Sequence, residues 1–325
     1  MKAPTEAQRK RGLTARKVVE AFGNCDELAK MYCKHVTWRL NHSLAPNVKG
    51  PHVGKEKVMA FNNIMQLATA EVSKTTGGSV VEWGNQRFRY SEKWTAKCRE
   101  HSGKDIRTPV NYVWEYFEDL GFPEYLAIDI NTELRSIAMD LNFILKDKYN
   151  YTEQFDLVTN NGTGEHIFDQ RTVFENMHNL CKVGGVMLCV LPFAPWINHG
   201  FYNYHPALFR DIAAANGYEW QFQWLAQNTG KYVDLPTDID GWANYEQKKP
   251  RLPLSDLEQA YDELHTRDSR AQNISIVTAY RKTSDQPFNI PMQGRYVNDV
   301  VDELKAEYSE NNVDVRQQDH TSANY

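Results

Sequence analysis

Glu165 and His166 stand side by side in "FDLVTNNGTGEHIFDQ", residues 155–170. The apolar run at 155–158 breaks there into Thr-Asn-Asn-Gly-Thr-Gly before the acid and the imidazole appear. Neutral imidazole accepts a proton near pH 7, and a neighbouring carboxylate can orient the ring or act itself. The same chemistry gathers again in "WINHGFYNYHP", residues 196–206, with His199, Tyr202, Tyr204 and His205. Of these residues His199 is the favoured general base, and His166, Glu165 and Tyr202 are the other catalytic candidates. Trp196, Phe201 and Tyr202 offer flat surfaces that could close over a planar or sugar-like acceptor. Each histidine alone has a plainer use, a hydrogen bond to a backbone carbonyl; their grouping is what favours chemistry. The spacing of Glu165, His166 and the later histidines fits no strong metal-ligand pattern, so no metal is expected.

These residues need a scaffold. "GGSVVEWGNQ", "EYLAIDIN", "RSIAMDLN", "QFDLVTNN" and "GGVMLCVLPF" share one design, a short apolar run followed by polar residues. Strands apolar on both faces are expected where helices cover both sides of a parallel sheet. Helical patterns lie between several of the runs. One places Val110, Val113, Tyr116, Phe117 and Leu120 on one face; another starts at Asp169 as N-cap; a third has Pro206 in its first turn and Gly217 past its end. The alternation predicts an α/β fold with a doubly wound, mostly parallel, Rossmann-like sheet. Only a short connection fits between Asp140 and Phe155. Two late β-rich runs, "YEWQFQWLAQNTG" and "NISIVTAYRK", predict an antiparallel hairpin at the sheet edge, with a polar insert at 230–272 between them.

In open α/β sheets, ligands bind beyond the C-terminal ends of the strands. The ends here carry Glu82, Gly84 and Asn85; Asp129 and Ile130; Asp140, Leu141 and Asn142; and Asn160. A glycine after the first strand lets backbone approach a ligand. A carboxylate after the second can accept two hydrogen bonds from a ribose diol, and one after the third can accept from an adenine amine. Either aspartate alone is as well explained as a cap. Two at matching strand ends favour a nucleoside site without phosphate.

The rest of the chain sets limits. It has 325 residues, 24% charged, with a net charge of -5, which argues against a general nucleic-acid binder. No apolar stretch approaches the ~20 residues of a membrane span, and no apolar segment of the kind that marks a secretory signal follows the basic "MKAPTEAQRKRG". The five cysteines form no CxxC pair and read as reduced thiols, so a cytoplasmic location is expected. Amphipathic patterns at 13–36 and 55–73 assign residues 1–76 to a helical N-terminal extension or lid. Residues 77–282 make the α/β domain, with a further polar insert at 87–108, and 283–325 a C-terminal extension with a polar tail.

The order VVEWGN, YLAIDI, IAMDLN, FDLVTNNGTGEH, VGGVMLCVLP and late hairpin resembles the class I S-adenosylmethionine-dependent methyltransferases over roughly residues 77–282. "GTGEHIFDQ" with "LPFAPWINHGFYNYHPALFRDIAAANGYE" is similar to a bacterial and phage branch acting on small molecules or sugars. The resemblance implies S-adenosylmethionine as cofactor, Gly84 at the cofactor loop and Asp129 as the ribose acid. It implies Asp140 and Leu141 beside the adenine, and Asn160 beside the methionine end. The implied activity is methyl transfer to a small-molecule or sugar acceptor by in-line displacement with a side-chain general base, by a soluble enzyme that could form a homo-oligomer. The single glycine of "EWGNQRF" supports a second reading, a non-catalytic Rossmann-like module that binds a nucleoside or a protein. A nucleic-acid methyltransferase is a third. The acidic balance weighs against it, as does the lack of an Asn/Asp-Pro-Pro-aromatic motif after the fourth strand.

Overall fold

Five short apolar runs form the parallel core of one sheet. In the computed structural model, which describes residues 59–194, 196, 199–227, 232–235 and 273–308, they are β2 (Ser79–Trp83), β4 (Glu124–Asp129), β5 (Ser136–Ala138), β6 (Phe155–Asn161) and β7 (Cys181–Ala194). With β8 (Glu219–Gln227), β9 (Tyr232–Asp234) and β10 (Ile274–Arg281) the order is β5-β4-β2-β6-β7-β10-β8-β9. Pairing is parallel from β5 to β7 and antiparallel beyond. The chain winds one way from β2 through β4 to β5, then returns to β6 and continues the other way. The direction reverses between β2 and β6, which places the ligand crevice of such a sheet beyond their carboxyl ends. The α/β, doubly wound, mostly parallel sheet with a late antiparallel hairpin is as expected.

Alternation along the strands divides the core in two. Val81, Trp83 and Val158 face a cluster with Phe174, Met177, Phe209 and Ile212. That side holds α4 (Leu145–Tyr149), α5 (Gln170–Leu180) and α6 (Pro206–Asn216). Val80 and Leu157 face the opposite cluster, with Ile64, Leu67, Tyr116 and Phe117. That side holds α1 (Asn63–Val72), α2 (Glu92–Ser102) and α3 (Val113–Asp119). The short connection between Asp140 and Phe155 contains only the five-residue α4. A last helical turn, α7 (Asp302–Lys305), follows.

Local signals set several boundaries as read. Asp169 Oδ1 accepts from the backbone N–H groups of Arg171 (3.0 Å) and Thr172 (3.3 Å), capping α5. Pro206 opens α6 and Gly217 closes it in the left-handed region at φ 60°.

Other boundaries differ. The helix expected over 55–73 begins at Asn63, because Asn62 Oδ1 caps it through Ile64 N (2.9 Å) and Met65 N (3.2 Å). Before it, β1 (Met59–Phe61) pairs in parallel with β3 (Gln86–Phe88). Residues 59–72 supply Phe61, Ile64 and Leu67 to the core beneath the sheet, so this part of the expected extension packs with the α/β unit. The polar insert at 87–108 is ordered through β3 and α2. The late antiparallel pair extends the sheet beyond β7 at its expected edge, and the strand that joins it is the later one. β10 lies between β7 and β8, because Ile276, Val277 and Ala279 are apolar on both faces and an edge position would leave one backbone side unpaired. Most of 1–76, the expected helix over 13–36, most of the insert at 230–272 and the tail from 309 lie outside the described residues. Among the described residues no helix is long and apolar enough to cross a membrane.

Candidate active site

The turn after β2 and the end of β4 are locked together. Gly84 has φ 75° and its N–H donates to the Ile128 carbonyl (2.8 Å). The next N–H, of Asn85, donates to Asp129 Oδ2 (2.7 Å). Asn85 Nδ2 reaches Asn131 Oδ1 (2.5 Å) and Ser136 Oγ (3.0 Å). Asp129 Oδ1 accepts from Asn131 N (3.3 Å) and Nδ2 (2.9 Å). Three donors thus fill three of about four acceptor positions on the carboxylate, and one remains. Ile130, next in the chain, is 83% exposed, a large apolar side chain with almost no cover.

Asp140 follows on the adjoining strand, two residues past Ala138, which is in register with Asp129. Its Oδ1 accepts from Asn142 N (2.9 Å) and Nδ2 (3.0 Å), an Asx turn, and its N–H donates to Tyr149 Oη (3.0 Å). Asn142 Oδ1 accepts from Phe168 N (3.0 Å), tying this turn to the segment after β6. Leu141 is buried in the core.

Two other expected cofactor residues lie below the strand ends. Asn160 is fully buried, within β6 rather than in a loop after it. Its Oδ1 accepts from Gly164 N (2.8 Å) and so holds the following turn. Glu82 is fully buried inside β2. Its carboxyl accepts from Tyr125 Oη (2.6 Å) and Asn161 Nδ2 (3.2 Å). Burial, partly offset by those two bonds, pushes it up to about 8. Nearby Asn161 Oδ1 and Gln86 Oε1 are buried acceptors with no hydrogen-bond partner.

The expected catalytic residues meet across two loops. Gly164–His166 forms a single 3-10 turn that buries Glu165 and leaves the His166 side chain 40% exposed. The loop after β7 is tied down by Tyr204 N to the Pro192 carbonyl (2.7 Å) and by Phe201 N to the Glu165 carbonyl (2.8 Å). A β-carbon on Gly200 would fall 2.8 Å from Glu165 Cγ, so only glycine lets this loop press so close. His199 Nε2 therefore stands 3.3 Å from Glu165 Oε1, and His166 Nε2 3.8 Å from the same oxygen. The two imidazoles are 5.1 Å apart between centroids, and Trp196 lies 4.7 Å from His199. Tyr202 is outside this trio: its hydroxyl donates to the Phe168 carbonyl (2.9 Å). Phe168 and Phe201 are 72% and 67% exposed and meet edge to face at 6.1 Å.

Thr163, given no individual role in the sequence reading, joins the two halves. Its Oγ1 donates to the Trp83 carbonyl (2.7 Å) beside Gly84, while its own carbonyl accepts from His166 N (3.0 Å). Its sole sequence signal is its place in a small-residue turn after a strand.

No protein-family model matches this chain, and no curated protein matches it either. Among solved structures, the chain is similar to the O-methyltransferase of a trans-AT polyketide synthase of Brevibacillus brevis in complex with S-adenosyl-L-homocysteine. Identity is 10% with a TM-score of 0.36, over 70% of this chain and 74% of that one. A geranyl diphosphate methyltransferase in complex with S-adenosylmethionine is 10% identical with a TM-score of 0.36, over 68% and 85%. The cyclase SpnF is 9% identical with a TM-score of 0.37, over 68% and 81%.

Proposed function

We propose that this chain is a class I S-adenosylmethionine-dependent methyltransferase that methylates a small-molecule or sugar acceptor. One observation carries the reading: Asp129, anchored on the Asn85 N–H at the switch point, keeps an acceptor position next to an uncovered Ile130. A ribose hydroxyl fits the carboxylate and an adenine face fits the isoleucine. Asp140 and Asn142, at the adjoining strand end, are assigned to the far side of the base. Glu82 and the unpartnered oxygens of Asn161 and Gln86 form an acceptor-rich interior, suited to the amino end of the methionine moiety. When bound, S-adenosylmethionine supplies a methyl carbon already activated by its sulfonium.

The chain's own contribution is alignment and proton removal. His199, oriented by Glu165, is the base for the acceptor's proton; His166 lines the same site and Tyr202 fixes the rim through the Phe168 carbonyl. Calorimetry with S-adenosylhomocysteine tests the proposal. Binding should be lost in Asp129→Ala with the fold retained; wild-type protein that takes up neither the donor nor its product overturns it. One observation favours a non-catalytic module instead. Thr163 occupies the space beside Gly84 that a cofactor loop would leave to its ligand. That reading predicts nucleoside or protein binding without turnover of any acceptor.

A further inference from the structure

We propose that Glu165, His166 and His199 form a binding site for one divalent metal ion of the imidazole-preferring kind, zinc above all. The inference goes beyond methyl transfer and stands whether or not that activity is found. One atom from each side chain lies within 4.8 Å of the other two. Both imidazole Nε2 atoms address the same carboxylate oxygen, at 3.3 and 3.8 Å. A tetrahedral zinc ion with bonds of about 2.0–2.1 Å sets its ligand atoms about 3.4 Å apart, so an ion fits among these three with small adjustment.

A second, independent observation points into the cluster. Glu165 is 1% exposed, yet its Oε2 has no hydrogen-bond partner. A buried carboxylate oxygen left unpaired is costly, and a bound cation is one of the few partners that satisfies both oxygens of one carboxylate at once. The two histidines carry the open side, with side chains 40% and 33% exposed, so an ion can enter and retain a free position. Two nitrogens and one oxygen with an open position is the donor set of sites where a metal binds a substrate oxygen, and closed structural sites use four protein ligands. The fourth position would take an oxygen donor, a hydroxyl or a carboxylate.

Occupancy also has a chemical consequence. A metal on His199 Nε2 displaces the proton that this nitrogen shares with Glu165 Oε1, so loading breaks the pair that orients the proposed base and puts a Lewis acid in its place.

The test uses the full chain stripped with a chelator and titrated with zinc chloride in a calorimeter, with cobalt(II) absorption as a second readout. We expect one equivalent of zinc, weakened at least ~tenfold in His166→Ala, His199→Ala and Glu165→Gln. His101→Ala, which removes an imidazole elsewhere on the surface, should bind as the wild type does. Cobalt-loaded wild type should show visible bands that His199→Ala lacks. No saturable zinc binding by the wild type, or binding as tight as the wild type's in both histidine variants, overturns the proposal. A colourless wild-type cobalt complex does so without relying on any variant. S-adenosylhomocysteine binding measured on the same samples reports separately on the methyltransferase reading.

Discussion

Thr163 Oγ1, held by its 2.7 Å bond to the Trp83 carbonyl, lies 2.5 Å from where a β-carbon on Gly84 would stand. Gly84 also has φ 75°, a backbone conformation that costs an L-residue about 1–2 kcal/mol. Gly84→Ala should therefore lower unfolding stability by about 2–3 kcal/mol even without ligand, read from urea midpoints at constant slope. Adding Thr163→Ala should recover the part due to crowding and leave the part due to φ. An alanine tolerated at no cost would show that the turn is not held as described.

Glu82 gives the fold a pH dependence with a defined sign. The carboxyl is raised from 4.5 to about 8 by burial. Below the lower value both folded and unfolded chains carry the proton. Between the two, the folded chain keeps it while the unfolded chain releases it, so stability falls as pH rises and levels off above about 8. The loss is on the order of a few kcal/mol, at about 1.4 kcal/mol per unit of difference. Glu82→Gln should flatten this slope, since the amide oxygen can still accept from Tyr125 and the amide NH2 can donate to Asn161 once that side chain turns its unpartnered Oδ1 in place of Nδ2. Denaturant midpoints of both proteins across the window decide it, and parallel slopes would assign the pH dependence elsewhere. If the cofactor's ammonium sits against Glu82, its affinity should rise with pH over the same range.

What the sequence made legible was mostly local. Asp169 as a cap, and Pro206 and Gly217 at the ends of α6, are signals carried by one turn each. The parallel core could be read because strands covered on both faces are apolar throughout. The place of β10 between β7 and β8 is a pairing between segments far apart in the chain, and no local pattern encodes it. The β1 and β3 pair escaped notice because three residues such as Gln86-Arg87-Phe88 carry no period at all.

The candidate site was legible by residue type and not by contact. Glu165, His166 and His199 were each singled out, yet what brings His199 to Glu165 is the missing side chain of Gly200, which lets one loop press on another. Asn160 is read as a strand end facing the methionine moiety, because Asn-Asn-Gly follows the apolar run and such residues usually start a turn. Here β6 continues through it and buries its amide against Gly164. Asn142 stands out in the sequence only as a polar residue at a strand end, and its Oδ1 bond to Phe168 N, which ties that strand end to the segment after β6, is not carried by spacing.

Phe168 and Phe201 allow binding to be separated from folding. Both rings are largely in water and touch each other edge to face beside the Glu165 cluster. Side chains so exposed contribute little to stability, so Phe168→Ala and Phe201→Ala should each change it by less than about 0.5 kcal/mol. If the pair closes over an acceptor in the proposed reaction, each truncation should raise the acceptor's KM about tenfold, the effect of ~1.4 kcal/mol of lost contact, with S-adenosylhomocysteine affinity unchanged. Asp129 and Ile130, where the donor is proposed to bind, belong to other loops, which is why the two affinities should part. A variant that weakens both ligands equally would place these rings in the donor site, and one that alters neither would leave them without a part in binding.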